Sequence, residues 1–469
     1  MTLEFFGAAE CVTGSKHLIT LSDDTKILLD CGMFQGMGKE TEPLNRHFGF
    51  DPSSIHALIL SHAHIDHSGL IPRLIKEGFR GKIYCTDATF DLCKVMLKDS
   101  AKIQEYDIMY LNKKRKERKQ KLLEPLYTED DVNFCLQMFE TRDFETPFDV
   151  TKNVKCVFTD NGHILGSAAV YLKINEEETI TRLAFTGDIG RYSSPLLNDP
   201  KSFPQCDILI CESTYGNRLH EKIEDSQKLL LEIVKQTCVE KKGKLIIPAF
   251  SLGRTQELVF TLNNLSLSGE LPKIKVYVDS PLSFNATNII RKHIDLLNEK
   301  VKNVAKNDPD PFGFECLNYI TEVDESKKLN DKDEPCIIIS ASGMAEAGRI
   351  RHHIKNNVSD PKNTILMVGY AEPHSLGGQL RNGNKEVRIY GEYYQVNAEV
   401  RVIDSYSAHA DYQEMLRYLS CQDVSKIKRT FLVHGETDAI VAWKQHLQGN
   451  GFKNVTIGKS GDHYHFDSL

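Results

Sequence analysis

Short apolar runs that end on polar residues recur along the first part of the chain. KILLD (26–30) and ALILS (57–61) have the pattern of buried strands. SGLIPRLIKEGF (68–79) places its apolar residues at helical spacing, and KIYCT (82–86) returns to strand. From about 88 to 140 the spacing is helical again, interrupted by the basic run KKRKERKQK at 113–121. A charge run of this kind reads as a solvated helix face or loop. NVKCVFTD, AAVYLKI, RLAFTGD and DILICES then follow as consecutive strands, with polar residues at their ends.

After Tyr215 the pattern changes. A long amphipathic helix (221–241) leads to the strand KLIIPAF, the helix GRTQELVFTLNNL and the strand IKVYVDS. Strand–helix alternation predicts a parallel α/β sheet. The stretch 305–335 is polar and predicts loops; CIIISASGM and NTILMVGY resume the strands. Residues 385–406 read as paired strands leading back towards the first domain, and no internal repeat is visible. At 469 residues, two domains are expected.

Composition adds limits. Hydrophobic residues at 41% and charged residues at 26% are those of a soluble globular protein. The N-terminus lacks a basic region followed by a long apolar stretch, so no signal peptide is expected. No apolar run approaches the ~20 residues that span a bilayer. A cytoplasmic enzyme with no membrane association is the simplest reading. The 12 cysteines are scattered without a CxxC pair, which predicts free thiols and no cysteine zinc site. A net charge of −7 argues against blanket attraction to nucleic acid but allows a local basic groove.

The strongest chemical signal is SHAHIDHSG at 61–69, with His62, His64, Asp66 and His67 in six positions between a strand and a helix. Alternate residues His62 and His64 can converge on one ion while Asp66 and His67 turn towards a second. Imidazole and carboxylate ligands suit Zn²⁺. Two ions need more ligands, and strand ends offer His163 (TDNGHILGS), Asp188 (LAFTGD) and His434 (TFLVHGE). A carboxylate such as Asp188 can bridge two cations. Asp30, closing KILLD, is better placed to orient ligands than to coordinate.

HAHIDH, preceded by Asp30 and followed by His163 and Asp188, resembles the HxHxDH signature of the metallo-β-lactamase superfamily. Later landmarks resemble its β-CASP nuclease branch: Glu212 in CESTYG matches motif A, His409 in SYSAHAD motif B and His434 in LVHGE motif C. IPAFSLGRTQEL, SASGMAEAGR and the LNKKRKERKQKLLEPLYTEDDV segment are also similar to stretches of that branch. The resemblance covers essentially the whole chain. It implies a four-layer αββα sandwich over 1–216 and 405–469, with an inserted α/β β-CASP domain at 217–404. It also implies one zinc on His62, His64 and His163, a second on Asp66, His67 and His434, and Asp188 bridging; Mn²⁺ is the alternative metal.

The implied activity is hydrolysis of single-stranded RNA, endonucleolytic, 5′-exonucleolytic or both. Two cations ~3.5–4 Å apart can activate water and offset charge at phosphorus. They protonate a departing ribose oxygen poorly, whereas a histidine can do so. By analogy with the family, His409 is the candidate acid and Glu212 holds its ring; the alternative for His409 is a helix-start residue near a capping serine. Ser340, Ser342 and Gly343 form a small-residue turn expected to open a helix and present N–H groups to phosphate. Ser407, Arg254 and Arg349 are further candidates for RNA contact, and the basic run at 113–121 is another.

GYAEPHSLGGQL departs from the branch, with Gly378 where an arginine often falls, which implies a weaker grip on the RNA backbone or a shifted substrate. The chain also lacks the N-terminal KH modules and C-terminal assembly domain of some relatives, which suggests a compact, stand-alone, bacterial-type enzyme; a homo-oligomer is compatible. Rival readings are a hydrolase of a small ester, thioester or phosphodiester, an inactive RNA-binding scaffold, and a di-iron oxidoreductase. The insert and motifs, the full ligand set and the lack of a flavin-binding region argue against them in turn.

Overall fold

The strands Ala57–Ile59 and Ile208–Cys211 are buried on both faces, as strands are when a second sheet covers one face and helices the other. In the computed structural model, which describes residues 1–176, 179–220, 223–369, 371 and 374–466, these two strands lie in the interior of two seven-stranded sheets. The first has the order His463–His465, Thr2–Gly7, Lys16–Thr20, Lys26–Leu29, Ala57–Ile59, Lys82–Cys85, Phe139–Thr141. The second runs Val455–Ile457, Arg429–Leu432, Ile208–Cys211, Thr179–Phe185, Ala168–Glu176, Val154–Asp160, Phe148–Thr151.

The period of two decides what each face meets. Ile27 and Leu29 of the first sheet share a core with Phe158, Val170, Phe185 and Ile210 of the second. The intervening Ala184, Leu209 and Cys211 face outwards onto Met415, Tyr418, Ile440 and Trp443, carried by the helices Tyr412–Leu419 and Thr437–Gly449. The long helix Asp87–Glu117 packs against the edge strand Phe139–Thr141 of the other sheet. The result is the αββα sandwich. Within each sheet the central strands are parallel, so Leu29 and Ile59 end on one edge, and Phe185, Cys211 and Leu432 on another. Loops at such carboxyl ends are where ligands bind in α/β sheets.

These elements belong to one of two compact units, made of Met1–Tyr192, Asp199–Leu219 and His409–Leu469. The other comprises Ser193–Asn198 and His220–Ala408. It is built on a parallel sheet in the order Leu317–Tyr319, Lys275–Val278, Cys336–Ser340, Leu245–Pro248, Thr364–Val368, Glu399–Ile403. Ser193–Asn198 joins it through an isolated bridge between Leu197 and Leu297 and through Asn298, whose side chain donates to Ser194 and Leu197 carbonyls.

Several expectations need correction. The polar stretch 305–335 is not all loop: it contains the edge strand Leu317–Tyr319 and the helix Val323–Asp331, anchored by buried Ile320 and Leu329. The paired strands read over 385–406 are one hairpin, Glu386–Ile389 with Glu392–Gln395, whereas Glu399–Ile403 joins the parallel sheet. The helix enters the basic run before it ends: it continues to Glu117, the break falls in the second half of the run, and the next helix is Glu129–Cys135. Residues 221–222 of the helix expected at 221–241 lie outside the described residues; the α-helix found is Ile223–Val234, followed by a wider π turn over Lys235–Glu240. All 12 cysteines are free thiols. Among the described residues no helix is long and apolar enough to cross a membrane.

Candidate metal centre

The centre forms where strand ends of both sheets of the sandwich meet. His62 and His64 flank Ala63 in extended chain after Ala57–Ile59, and a short helix, Ile65–Ser68, then turns Asp66 and His67 the other way. His64 Nδ1 lies 3.1 Å from His62 Nε2 and 3.2 Å from His163 Nε2. Asp188 Oδ2 lies 3.4 Å from His62 Nε2 and 3.5 Å from His163 Nε2. On its other side, Asp188 Oδ2 is 3.3 Å from His67 Nε2. His67 Nε2 is 3.1 Å from His434 Nε2, which is 3.4 Å from Asp66 Oδ2. Two donor sets therefore stand side by side, one of His62, His64, His163 and Asp188, the other of Asp66, His67 and His434, each with its ligand atoms within 4.8 Å of one another.

The surroundings fix these side chains. Asp30 is fully buried and takes a left-handed backbone, φ 58°, a conformation that Asp tolerates better than most residues. Its carboxylate accepts from Ser61 N, Ser61 Oγ and Ser15 Oγ and lies 2.7 Å from His67 Nδ1. With Nδ1 bound there, His67 turns Nε2 into the centre. Thr214 Oγ1 lies 3.0 Å from His434 Nδ1 and does the same for that ring. Gly32 has no room for a side chain, since a Cβ there would fall 1.6 Å from the Asp66 carbonyl oxygen.

The residues fit a divalent cation of the zinc type. Imidazole nitrogens 3.1–3.2 Å apart converge without enough protons to bond every pair. His163 Nδ1 and Asp188 Oδ1 are buried without a hydrogen-bond partner. Burial holds His62 and His163 well below the usual imidazole range, and His64 falls to about 4; neutral rings keep lone pairs for a metal. Burial also opposes protonation of His67, but Asp188, Asp30 and Asp66 outweigh it and lift that ring well above its ordinary value. That surplus of negative charge is what a cation would offset.

His409 stands at the rim, 21% exposed, its ring 4.6 Å from that of His163. A bridge between His409 and Gly190 and a hydrogen bond from Ala410 N to Ile189 O hold the segment in place. His409 Nδ1 lies 3.2 Å from Glu212 Oε2. Glu212 is itself fully buried and accepts from the N–H groups of Ile189 and Thr214. Burial opposes protonation of His409, and Glu212, with Asp188 and Asp66 beyond it, outweighs burial and pushes the ring up to about 9. The following helix is capped by Asp411 in a box with Glu414, not by a serine.

The candidates in the second unit look different. Ser340 Oγ donates to the Asp279 carbonyl, and Ser342 Oγ accepts weakly from Ala347 N at 3.4 Å. Gly343 lies under the Phe250 ring, where a Cβ would come within 2.8 Å of it. No helix opens at this turn: the next one is Ile350–Asn357, because Ala345 and Gly348 take left-handed backbone in between. Ser407 is buried. Arg254 pairs with Glu257 and lies over Tyr406. Arg349 donates to Asp279 and to the Ile320 and Thr321 carbonyls. Both guanidinium groups thus have partners inside the unit. Gly378 sits in the helix Leu376–Arg381; Tyr370, Glu372 and Pro373 of the same motif lie outside the described residues.

Sequence reasoning missed Ser15, Thr214 and Lys16. Lys16 is fully buried beneath the metal loops, donating to the Gly14 and Gly32 carbonyls over the Phe34 ring. Lys16 opens the strand KHLIT, where a lysine at a strand start reads as exposed, so the sequence offered little signal for its burial.

Comparison with known proteins agrees with this geometry. Residues 13–151 match the metallo-beta-lactamase superfamily, 255–380 the Beta-Casp domain, and 393–457 the Zn-dependent metallo-hydrolase RNA specificity domain. The chain is 33% identical to Ribonuclease TTHA0252 of Thermus thermophilus, over 97% of its own length and 98% of that protein. It is 32% identical to an RNase J-like protein of Methanocaldococcus jannaschii, over 94% and 95%. It is 31% identical to the transcription termination factor FttA of Methanosarcina mazei, over 91% of this chain and 66% of that one. A solved structure of a protein of unknown function from Enterococcus faecalis V583 shares the fold, with a TM-score of 0.54 at 12% identity over 99% of both chains. The chain belongs to the β-CASP branch of the metallo-β-lactamase superfamily and is a metallo-hydrolase.

Proposed function

We propose that the chain is a zinc-dependent ribonuclease that hydrolyses phosphodiester bonds of single-stranded RNA. The observation that carries this is the pair of donor sets with Asp188 Oδ2 within 3.4 Å of His62 Nε2 in one and 3.3 Å of His67 Nε2 in the other, and with His409 and Glu212 at their edge. His62, His64 and His163 would hold one ion, and Asp66, His67 and His434 the other, with Asp188 between. Zinc in such sets supplies Lewis acidity towards a phosphoryl group and a water of lowered pKa.

The chain's own residues do the rest. Asp30 and Thr214 fix the His67 and His434 rings. His409 gives the proton from Nε2 to the departing ribose oxygen, and Glu212 at Nδ1 stabilises the imidazolium before transfer. The names of the relatives support RNA as substrate. Asp66→Ala and His409→Ala test the reading on zinc-loaded protein with internally labelled and 5′-labelled RNA. Wild type cuts, the His409 variant slows by about 10²–10⁴, and fragment lengths separate internal from 5′ cutting. Intact RNA with zinc-saturated wild type overturns the assignment.

A further inference from the structure

The helix Asp87–Glu117 changes character along its length. Up to Ala101 it places Leu92, Cys93 and Leu97 in the core; beyond that it buries nothing. The solvent-facing half carries Ile103, Tyr106, Met109 and Tyr110, exposed by 50%, 66%, 63% and 55%, spaced to fall on one helix face. Glu105 and Asp107 fall outside that face at helical spacing. Single exposed apolar residues are ordinary, but a contiguous patch marks an interaction site.

The end of this arm is strongly basic. Lys113, Lys114, Arg115, Lys116, Arg118, Lys119 and Lys121 stand against Glu117 alone, a net +6 in nine residues. Since the whole chain carries −7, the remainder carries −13. The tip is a built turn. The Asn112 side chain exchanges two hydrogen bonds with the Leu123 backbone, and Arg115 Nε donates to the Lys121 carbonyl. The Lys114 ammonium lies 4.6 Å from the centre of the Tyr110 ring. At its other end, Thr86 and Thr89 hydroxyls donate to Gly166 O in the loop that carries His163. From there the helix extends about 45 Å to the tip.

We propose that this arm is an RNA-holding surface separate from the metal centre. Its lysines and arginines neutralise backbone phosphates, and Tyr106 and Tyr110 offer ring faces to unpaired bases. The inference rests on the RNA reading above and extends it to RNA that reaches well beyond the bond being cut. Single-stranded RNA satisfies both features of the arm at once. A second copy of the chain fits less well, because two-fold pairing of the tips would set +6 against +6.

The test uses full-length, zinc-loaded protein and labelled phosphorothioate oligouridylate of about 30 nucleotides, which keeps its charge and resists hydrolysis, with binding measured across a salt series. One variant combines Lys113→Gln, Lys114→Gln, Lys116→Gln and Lys119→Gln; another combines Tyr106→Ala and Tyr110→Ala. Loss of the four lysines should weaken binding tenfold or more at low salt and reduce the slope of log affinity against log salt by about 2–3. Loss of the two rings should weaken binding about tenfold without changing the slope. Both variants should cut a short oligonucleotide, too short to reach the arm, at the wild-type rate.

Unchanged affinity and slope in both variants overturn the inference, whether or not the wild type cuts RNA. Lost affinity in the variants, with a wild type that never cuts, keeps the arm and removes the ribonuclease reading. A tyrosine variant that turns a dimer into a monomer while binding RNA normally assigns the face to a second copy and also overturns the inference.

Discussion

Asp30 contacts no expected metal site directly, yet four hydrogen-bonding groups converge on it and it turns His67 into the centre. Asp30→Ala should leave the fold intact and weaken zinc at the His67 side about 10–100-fold, read by competition with a chelating dye. Lys16 offers a pH signature. Burial lowers it from 10.5 to about 8, so between those values the unfolded chain holds a proton that the folded chain has lost. Stability then rises with pH through that window, by up to about 3 kcal/mol relative to Lys16→Met. Denaturant titrations of both proteins at pH 7.5 and pH 10.5, roughly the ends of that window, check this; a constant difference contradicts it. The residues in HAHIDH were legible because they are close in sequence and chemically unusual. Ser15 and Thr214 were not, since ordinary polar residues acquire their roles only when Asp30 and His434 are brought to them, the latter across 220 positions.

At the scale of elements, strands with clean apolar runs were readable and the helical stretch after Asp87 was recognised. Its continuation into the first half of the basic run, as far as Glu117, carries no apolar signal, although Lys, Arg and Glu all favour helix. The strand Leu317–Tyr319 and helix Val323–Asp331 escaped for another reason. A three-residue edge strand and a helix burying little beyond Ser326 and Leu329 leave almost no periodic signal. The start of the long helix is well defined: Thr86 Oγ1 caps Thr89 N and also donates to Gly166 O. Thr86→Val should cost about 1 kcal/mol or more, measured by urea unfolding, and should lower zinc affinity by loosening the His163 loop. An unchanged zinc affinity would separate the helix from the site.

At the scale of the molecule, the sandwich gathers buried carboxylates and imidazoles into groups that could hold a cation. Removing zinc should therefore lower the melting temperature of the sandwich unit. Free zinc at about 100 times its dissociation constant contributes about 2.7 kcal/mol per site. Scanning calorimetry with and without chelator reads this, and an identical trace would mean that metal is not coupled to folding. The measurement that tests the central claim most directly is a zinc titration of metal-stripped protein with RNA cleavage followed at each addition. Cleavage should appear with the second equivalent and reach its plateau at two per chain. A plateau at one equivalent, or intact RNA at saturation, would contradict the shared Asp188 centre as a two-metal ribonuclease site.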